Sequence, residues 1–129
     1  MPEAIRVLVV DDEQVFRDTL VKVLTARGMK VAAVPGGREA LEFLRDHDVD
    51  VVVLDLKMPG LDGLAVLRRI GQLSPRPRVI MLTGHGSVQA GIAAVRDLAW
   101  DFLLKPIPAD ALAQVIRAAA EAGPERHKP

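Results

Sequence analysis

Short runs of apolar, largely β-branched residues recur along the chain at similar intervals. They predict five β-strands, at IRVLVV (5–10), MKVAAV (29–34), DVVVL (50–54), RVIML (78–82) and DFLL (101–104). The stretches that follow each run carry apolar residues three or four positions apart, the spacing of amphipathic helices. Strands that alternate with helices predict one α/β domain of five βα units, whose parallel sheet is covered on both faces.

The predicted helices are recognised by their apolar stripes. The stripes are Phe16, Leu20, Val23 and Leu24 in the first helix, Ala40, Leu41 and Leu44 in the second (roughly 37–46), Leu64, Leu67 and Ile70 in the third, Val88, Ile92 and Val95 in the fourth, and Leu112, Val115 and Ile116 in the fifth. Gly28 suits the C-terminal end of the first helix, since glycine adopts the left-handed conformation found there.

Composition narrows the class of protein. The 129 residues suffice for one domain with one core, and 50% of them are hydrophobic, which argues against disorder. Seventeen basic and 17 acidic side chains leave the chain formally neutral, so we expect no direct contact with nucleic acid. There is no cysteine for disulfides or thiolate metal sites. Without an apolar leader or membrane span, a soluble cytoplasmic protein is expected.

Polar side chains follow four of the five predicted strands. Asp11 and Asp12 end the first strand and Asp55 ends the third, while Thr83 and Lys105 end the fourth and fifth. In open α/β sheets, ligands bind outside the carboxyl ends of the strands. Three carboxylates, one hydroxyl and one ammonium are therefore predicted to meet at one edge of the sheet.

The chemistry of this predicted cluster points to a cation and to phosphoryl transfer. Three close carboxylates resist joint ionisation unless a cation lies among them, and their oxygens suit Mg²⁺ or Mn²⁺. With the metal in place, Asp55 can act as a nucleophile that forms an aspartyl phosphate. Lys105 and Thr83 can then hold the other phosphoryl oxygens.

Four segments, in this order, carry a family resemblance: VVDDE (9–13), DLKMPGLDG (55–63), LTGHG (82–86) and DFLLKP (101–106). With them the chain resembles the receiver domain of response regulators in two-component signalling, over about residues 5–121. The resemblance implies a flavodoxin-like, doubly wound fold whose five-stranded parallel sheet has the order 2-1-3-4-5. We expect a receiver domain at residues 1–122, and a flexible tail or the start of a linker at 123–129.

The same resemblance assigns roles around the predicted metal. Asp55 is the implied phosphate acceptor. Asp12 binds Mg²⁺ directly, Asp11 binds it mostly through water, and the backbone carbonyl of Lys57 supplies a further ligand.

Other roles implied by the resemblance concern the response to phosphorylation. Thr83 and Lys105 contact the phosphoryl group, and Phe102 is the aromatic switch. The face made by the fourth helix, the fifth strand and the fifth helix, about residues 87–119, would change shape. Pro106 carries an implied cis bond. Leu98 stands where the family commonly has glycine, so it would be strained if that position requires a positive φ.

The function that follows is a regulatory switch, not an enzyme with a separate substrate. A partner histidine kinase, or a small phosphodonor, would phosphorylate Asp55, and the altered surface would control a downstream protein, an attached output domain or a second copy of the chain. The alternative is a pseudo-receiver that acts by protein contact without phosphorylation. A phosphatase of the haloacid-dehalogenase type is disfavoured because Lys57 stands where its second acid is needed, and a dinucleotide module because no glycine-rich loop follows the first strand.

Overall fold

Five parallel strands form one sheet in the computed structural model of the chain, which describes residues 4–55, 63–84 and 98–123. The strands are β1 (Arg6–Val10), β2 (Lys30–Val34), β3 (Val51–Asp55), β4 (Arg78–Thr83) and β5 (Asp101–Leu104). Their order is β2-β1-β3-β4-β5, and every neighbouring pair is parallel. The predicted doubly wound α/β fold is therefore confirmed.

Helices cover both faces of this sheet. The described helices are α1 (Gln14–Ala26), α2 (Gly37–Asp46), α3 (Gly63–Ile70) and the C-terminal helix (Ala109–Glu121). The end of α1 is followed by Gly28 at φ 86°, in the left-handed region where glycine carries no Cβ penalty. The predicted fourth helix, about Val88 to Val95, lies outside the described residues.

Alternation along the central strands creates two separate apolar cores. Val7 and Val9 of β1 face one side of the sheet, and Leu8 and Val10 face the other. The first core also contains residues of α1 and the C-terminal helix, and the second contains residues of α2 and α3. All of β3 is buried, which explains why its sequence is an unbroken apolar run.

The segment that precedes β5 forms a joint with β4 and with the end of the C-terminal helix, through Trp100, Arg78 and Gly123. The backbone N–H of Trp100 donates to the carbonyl of Val79. The guanidinium of Arg78 lies 5.1 Å from the centre of the Trp100 ring, and its Nε donates to the carbonyl of Gly123 at 2.9 Å. The end of the C-terminal helix is thereby tied to the segment that enters β5.

The backbone of this region settles two expectations. No non-glycine residue in the described ranges has a positive φ, so Leu98 is accommodated without the strain that the substitution for glycine suggested. The Lys105–Pro106 peptide bond is cis, as the family resemblance implies, and the Ser74–Pro75 bond is cis as well. None of the helices in the described ranges has the length and apolar character needed to cross a membrane.

Candidate functional site

The carboxyl ends of β1 and β3 bring two carboxylates together in a buried position. Val10 and Leu54 are partners in the parallel register, and Asp11 and Asp55 are the residues that follow them. Only 1% of Asp11 and 5% of Asp55 are exposed. Because burial of charge is costly unless it is compensated, these two groups require nearby donors or a cation.

A third carboxylate completes an acidic cluster. Side-chain oxygens of Asp11, Asp12 and Asp55 all lie within 4.8 Å of one another. Asp12 is exposed and makes no hydrogen bond or ion pair with any residue that the structure describes. The donors are all hard oxygen atoms, which fit Mg²⁺ or Mn²⁺ better than a softer metal. The predicted convergence of the three aspartates is thus observed.

Lys105 supplies the positive charge of this edge. It follows β5, and its ammonium lies 2.8 Å from Asp11 Oδ2 and 3.8 Å from Asp55 Oδ2. Its side chain is 15% exposed. The predicted meeting of Lys105 with the aspartates is observed, and its shortest contact is with Asp11 instead of Asp55.

Two residues that the sequence analysis left out of the site also contact Lys105. Glu13 Oε1 lies 3.2 Å from the ammonium, and the centre of the Phe16 ring lies 4.3 Å from it. Both are visible in the sequence, as the last residue of VVDDE and the first residue of the α1 stripe. The Glu13 carboxylate and the face of the Phe16 ring therefore stabilise the Lys105 ammonium in addition to the aspartates.

The surroundings of Lys105 shift its pKa in opposite directions. Burial alone lowers the pKa, because it disfavours the charged amine. The hydrogen bond to Asp11 and the negative charges of Asp11 and Asp55 outweigh burial, and the pKa is raised above 10.5. Lys105 is therefore an ammonium ion throughout the neutral range and neutralises part of the acidic cluster.

Asp11 is fixed by contacts on both of its carboxylate oxygens. Its Oδ1 accepts the backbone N–H of Glu13 at 2.9 Å, while its Oδ2 accepts from Lys105. The guanidinium of Arg17 donates to the Asp11 backbone carbonyl at 2.7 Å. The first turn of α1 and the end of β1 are held together, and Asp11 has fewer free lone pairs than Asp12 for binding a metal.

The remaining predicted residues are placed only in part. Thr83 ends β4 and is the register partner of Leu104, but its side chain is outside the described part of the chain. Lys57 also lies outside the described residues. Phe102 is half-buried and packs against the apolar core that contains α2 and α3. The roles of these three residues stay predictions.

The doubly wound sheet and its acidic edge together define a small α/β protein built around a candidate cation site. Residues 7–117 match the family described as the response regulator receiver domain. The chain therefore belongs to the response regulator receiver domain family.

Similar proteins agree with this assignment. The chain is 37% identical to the C4-dicarboxylate transport transcriptional regulatory protein DctD of Rhizobium meliloti, over 94% of this chain and 26% of that protein. It is 35% identical to the DNA-binding transcriptional regulator NtrC of Escherichia coli, over 95% and 26%. A solved receiver domain protein from Clostridium thermocellum superposes with a TM-score of 0.83 at 34% identity, over 92% of this chain and 95% of that one. The chain thus spans about a quarter of the length of these two curated relatives.

Proposed function

We propose that this chain is a phosphorylatable switch in which Asp55 accepts a phosphoryl group in the presence of Mg²⁺. The observation that carries the proposal is the cluster of three aspartates within 4.8 Å of one another, with the Lys105 ammonium in ion-pair contact with two of them. Asp11, Asp12, Asp55 and the backbone carbonyl of Lys57 would hold the metal. When bound, Mg²⁺ would neutralise charge on the transferring phosphoryl group.

The transfer itself is a simple displacement at phosphorus. A carboxylate oxygen of Asp55 attacks the donor phosphorus, and the bond from phosphorus to the leaving group breaks. The leaving group is the imidazole of a phosphorylated kinase histidine, or acetate when acetyl phosphate is the donor. The leaving imidazole keeps the electron pair and takes up a proton. Lys105 and Thr83 hold phosphoryl oxygens and stabilise their charge.

The direct test is phosphorylation of the purified protein by acetyl phosphate, measured by intact-protein mass spectrometry. We expect one added phosphoryl group with Mg²⁺ and none when a chelator removes the metal. A pseudo-receiver would give no labelling under either condition, which would reject the proposed function.

The division of labour among the aspartates gives a second prediction. Asp12→Ala should weaken Mg²⁺ binding by more than about tenfold, and by more than Asp11→Ala does, since a direct ligand matters more than a supporting one. This order is supported by the contacts of the two side chains, because both Asp11 oxygens are engaged and the Asp12 carboxylate has no hydrogen bond or ion pair with the described residues. Isothermal titration calorimetry measures both affinities. Equal affinities for the two variants and the parent would contradict the assignment.

The phosphorylated form would differ most on the face made by the predicted fourth helix, β5 and the C-terminal helix, about residues 87–119. Phosphorylation adds roughly two negative charges at the carboxyl edge. Thr83 would be drawn toward them, and Phe102 would turn into the space that opens beneath. Phe102 is already half-buried beside Met81, its register partner, so a change of its position alters packing between β4 and β5.

Backbone NMR with and without beryllofluoride, a phosphoryl mimic, tests this readout. We expect shift changes at Asp55 and Lys105 beside the added group, and also at those residues of the 87–119 face that neither belong to the acidic cluster nor adjoin Lys105. The Asp55→Asn protein serves as the control, because it offers no carboxylate for the mimic. Changes confined to the rim around Asp55 would reject transmission to this face.

The proposed partners follow from this switch. A sensor histidine kinase would donate the phosphoryl group in the cytoplasm, and the altered face would bind a downstream protein, an attached output domain or a second copy of the chain. Residues 1–122 form the proposed receiver domain, and 123–129 a tail or the start of a linker. The greater length of DctD and NtrC supports an attached output domain.

A further inference from the structure

The arginines of the described residues divide by location into paired and unpaired groups. Those outside α2 and α3 each donate a hydrogen bond or form an ion pair: Arg6, Arg17, Arg27, Arg76, Arg78 and Arg117. The arginines of α2 and α3 make neither contact with any described residue: Arg38, Arg45, Arg68 and Arg69. Among the described residues, guanidinium groups without a hydrogen bond or an ion pair are therefore found only on α2 and α3.

Three of these arginines line a groove between α2 and α3. Arg38, Leu41, Glu42 and Arg45 come from α2, Arg69 comes from α3, and the groove encloses about 440 Å³. Leu41 is half-buried, and the four charged residues are exposed. Three guanidinium groups and one carboxylate leave an excess of two positive charges. The other two acids of α2, Glu39 and Asp46, are exposed and do not line the groove.

Among the described residues, Glu42 is the one carboxylate that lines the groove, and it forms no ion pair with the arginines of its own helix. Glu42 lies four residues after Arg38 and three before Arg45, spacings at which helical ion pairs form. In the structure it forms an ion pair with neither of them. Guanidinium is more weakly hydrated than an ammonium, and its planar fork matches the oxygens of a carboxylate or a phosphate, so an anionic partner is expected.

The spacing of the charges indicates an extended ligand. Arg38 and Arg45 are two helical turns apart, about 10 Å along the axis, and Leu41 lies between them. Arg69 approaches from the opposite wall of the groove. A single phosphate would need donors that converge on one point, whereas arginines spaced on either side of Leu41 match carboxylates that flank an apolar side chain.

We propose that the groove between α2 and α3 docks an acidic segment of a partner protein. Carboxylates of the segment pair with Arg38, Arg45 and Arg69, and an apolar side chain packs on Leu41. None of these residues belongs to the acidic cluster at the carboxyl edge. The proposal thus goes beyond the phosphorylation switch and does not depend on it.

The test uses a fluorescein-labelled peptide with two glutamates three positions apart, which is about 10 Å in an extended chain, and a leucine between them, together with a scrambled peptide of the same composition. Binding is measured by fluorescence anisotropy in about 0.15 M salt, where weak long-range attraction is screened. The parent should bind the patterned peptide more tightly than the scrambled one. The double variant Arg45→Gln/Arg69→Gln should bind it at least about tenfold more weakly, because two charge-assisted contacts are lost.

A matched control separates a specific site from net charge. Lys22→Gln/Arg117→Gln removes two exposed positive charges from α1 and the C-terminal helix, and should keep affinity within about twofold of the parent. Circular dichroism confirms that both double variants are folded. Equal weakening in the two variants, or equal binding of the two peptides, would overturn the proposal.

Two further measurements show where the ligand binds and whether it is a protein segment or a nucleic acid. Backbone NMR should show peptide-induced shifts in α2 and α3, and shifts elsewhere alone would overturn the docking site. A single-stranded oligonucleotide that binds the groove while the peptide does not would overturn the assignment to an acidic protein segment. The Asp55→Asn protein should bind the peptide like the parent, so failure of the phosphorylation switch is distinguishable from failure of this proposal.

Discussion

Replacing Asp55 with asparagine is expected to abolish phosphorylation by acetyl phosphate. The amide lacks the charged oxygen that attacks phosphorus, and no other carboxylate of the cluster has the same position. Asp11 is held by the Glu13 N–H and by Lys105, and Asp12 is exposed at the rim. Intact-protein mass spectrometry should show full labelling of the parent and none of Asp55→Asn.

The matched control for this substitution is Asp46→Asn. Asp46 is the exposed last residue of α2, and its side chain makes no hydrogen bond or ion pair with the described residues, so the same chemical change there should leave labelling intact. Peptide mapping of the labelled parent should place the phosphoryl group on Asp55. Full labelling of Asp55→Asn at another site would show that the acceptor has been assigned wrongly.

Replacing Lys105 with methionine is expected to destabilise the metal-free protein and to strengthen its binding of Mg²⁺. Removing one partner of a buried ion pair costs about 3–5 kcal/mol, and we expect the lower end because the lysine retains some exposure. Mg²⁺ should restore part of the lost free energy of unfolding, because it supplies the positive charge that the aspartates have lost. The metal also no longer competes with the ammonium for Asp11.

Denaturant unfolding with and without Mg²⁺, together with calorimetric titration, measures both effects. Lys22→Met, at an exposed position on α1, is the control and should change neither quantity appreciably. If Lys105→Met had the stability and the Mg²⁺ affinity of the parent, the ammonium would have no part in balancing the cluster.

The raised pKa of Lys105 determines how its contribution to the free energy of unfolding depends on pH. The charged amine stabilises the folded protein fully below the ordinary lysine pKa of 10.5, and its contribution is lost as pH rises through the higher pKa of the folded state. Titration of Lys105 should therefore leave the difference in unfolding free energy between the parent and Lys105→Met constant between about pH 7 and 9. A steady decline across that range would contradict the raised pKa.

The strands and the acidic edge were predictable because their signals are local. The unbroken run of Val51 to Leu54 marks a strand buried on both faces, and Asp55 follows it directly. The parallel arrangement then places Asp11 and Asp55 side by side, since each comes after a register partner. The strand order itself came from the family resemblance, because apolar runs do not say which strands are neighbours.

Contacts made by long side chains could not be predicted in this way. Lys105 follows β5 and reaches Asp11, which follows β1, although β4 and β3 lie between these two strands. Its approach to Glu13 and Phe16 depends on how α1 packs on the sheet. The sequence also does not show that the arginines of α2 and α3 lack hydrogen bonds and ion pairs with the described residues. A formally neutral composition gives no sign of where charges gather, because that distribution is a property of the folded surface.

The joint before β5 also gives the protein its own optical reporter. Trp100 is the only tryptophan; the residue is 39% exposed, and the guanidinium of Arg78 lies over its ring. Because Arg78 also holds the carbonyl of Gly123, indole emission reports from the point where the last described helix ends and β5 is about to begin. If the contacts of this joint loosen, the hydration of the indole ring changes. Tryptophan fluorescence therefore follows the loosening in the unlabelled protein at ordinary concentrations.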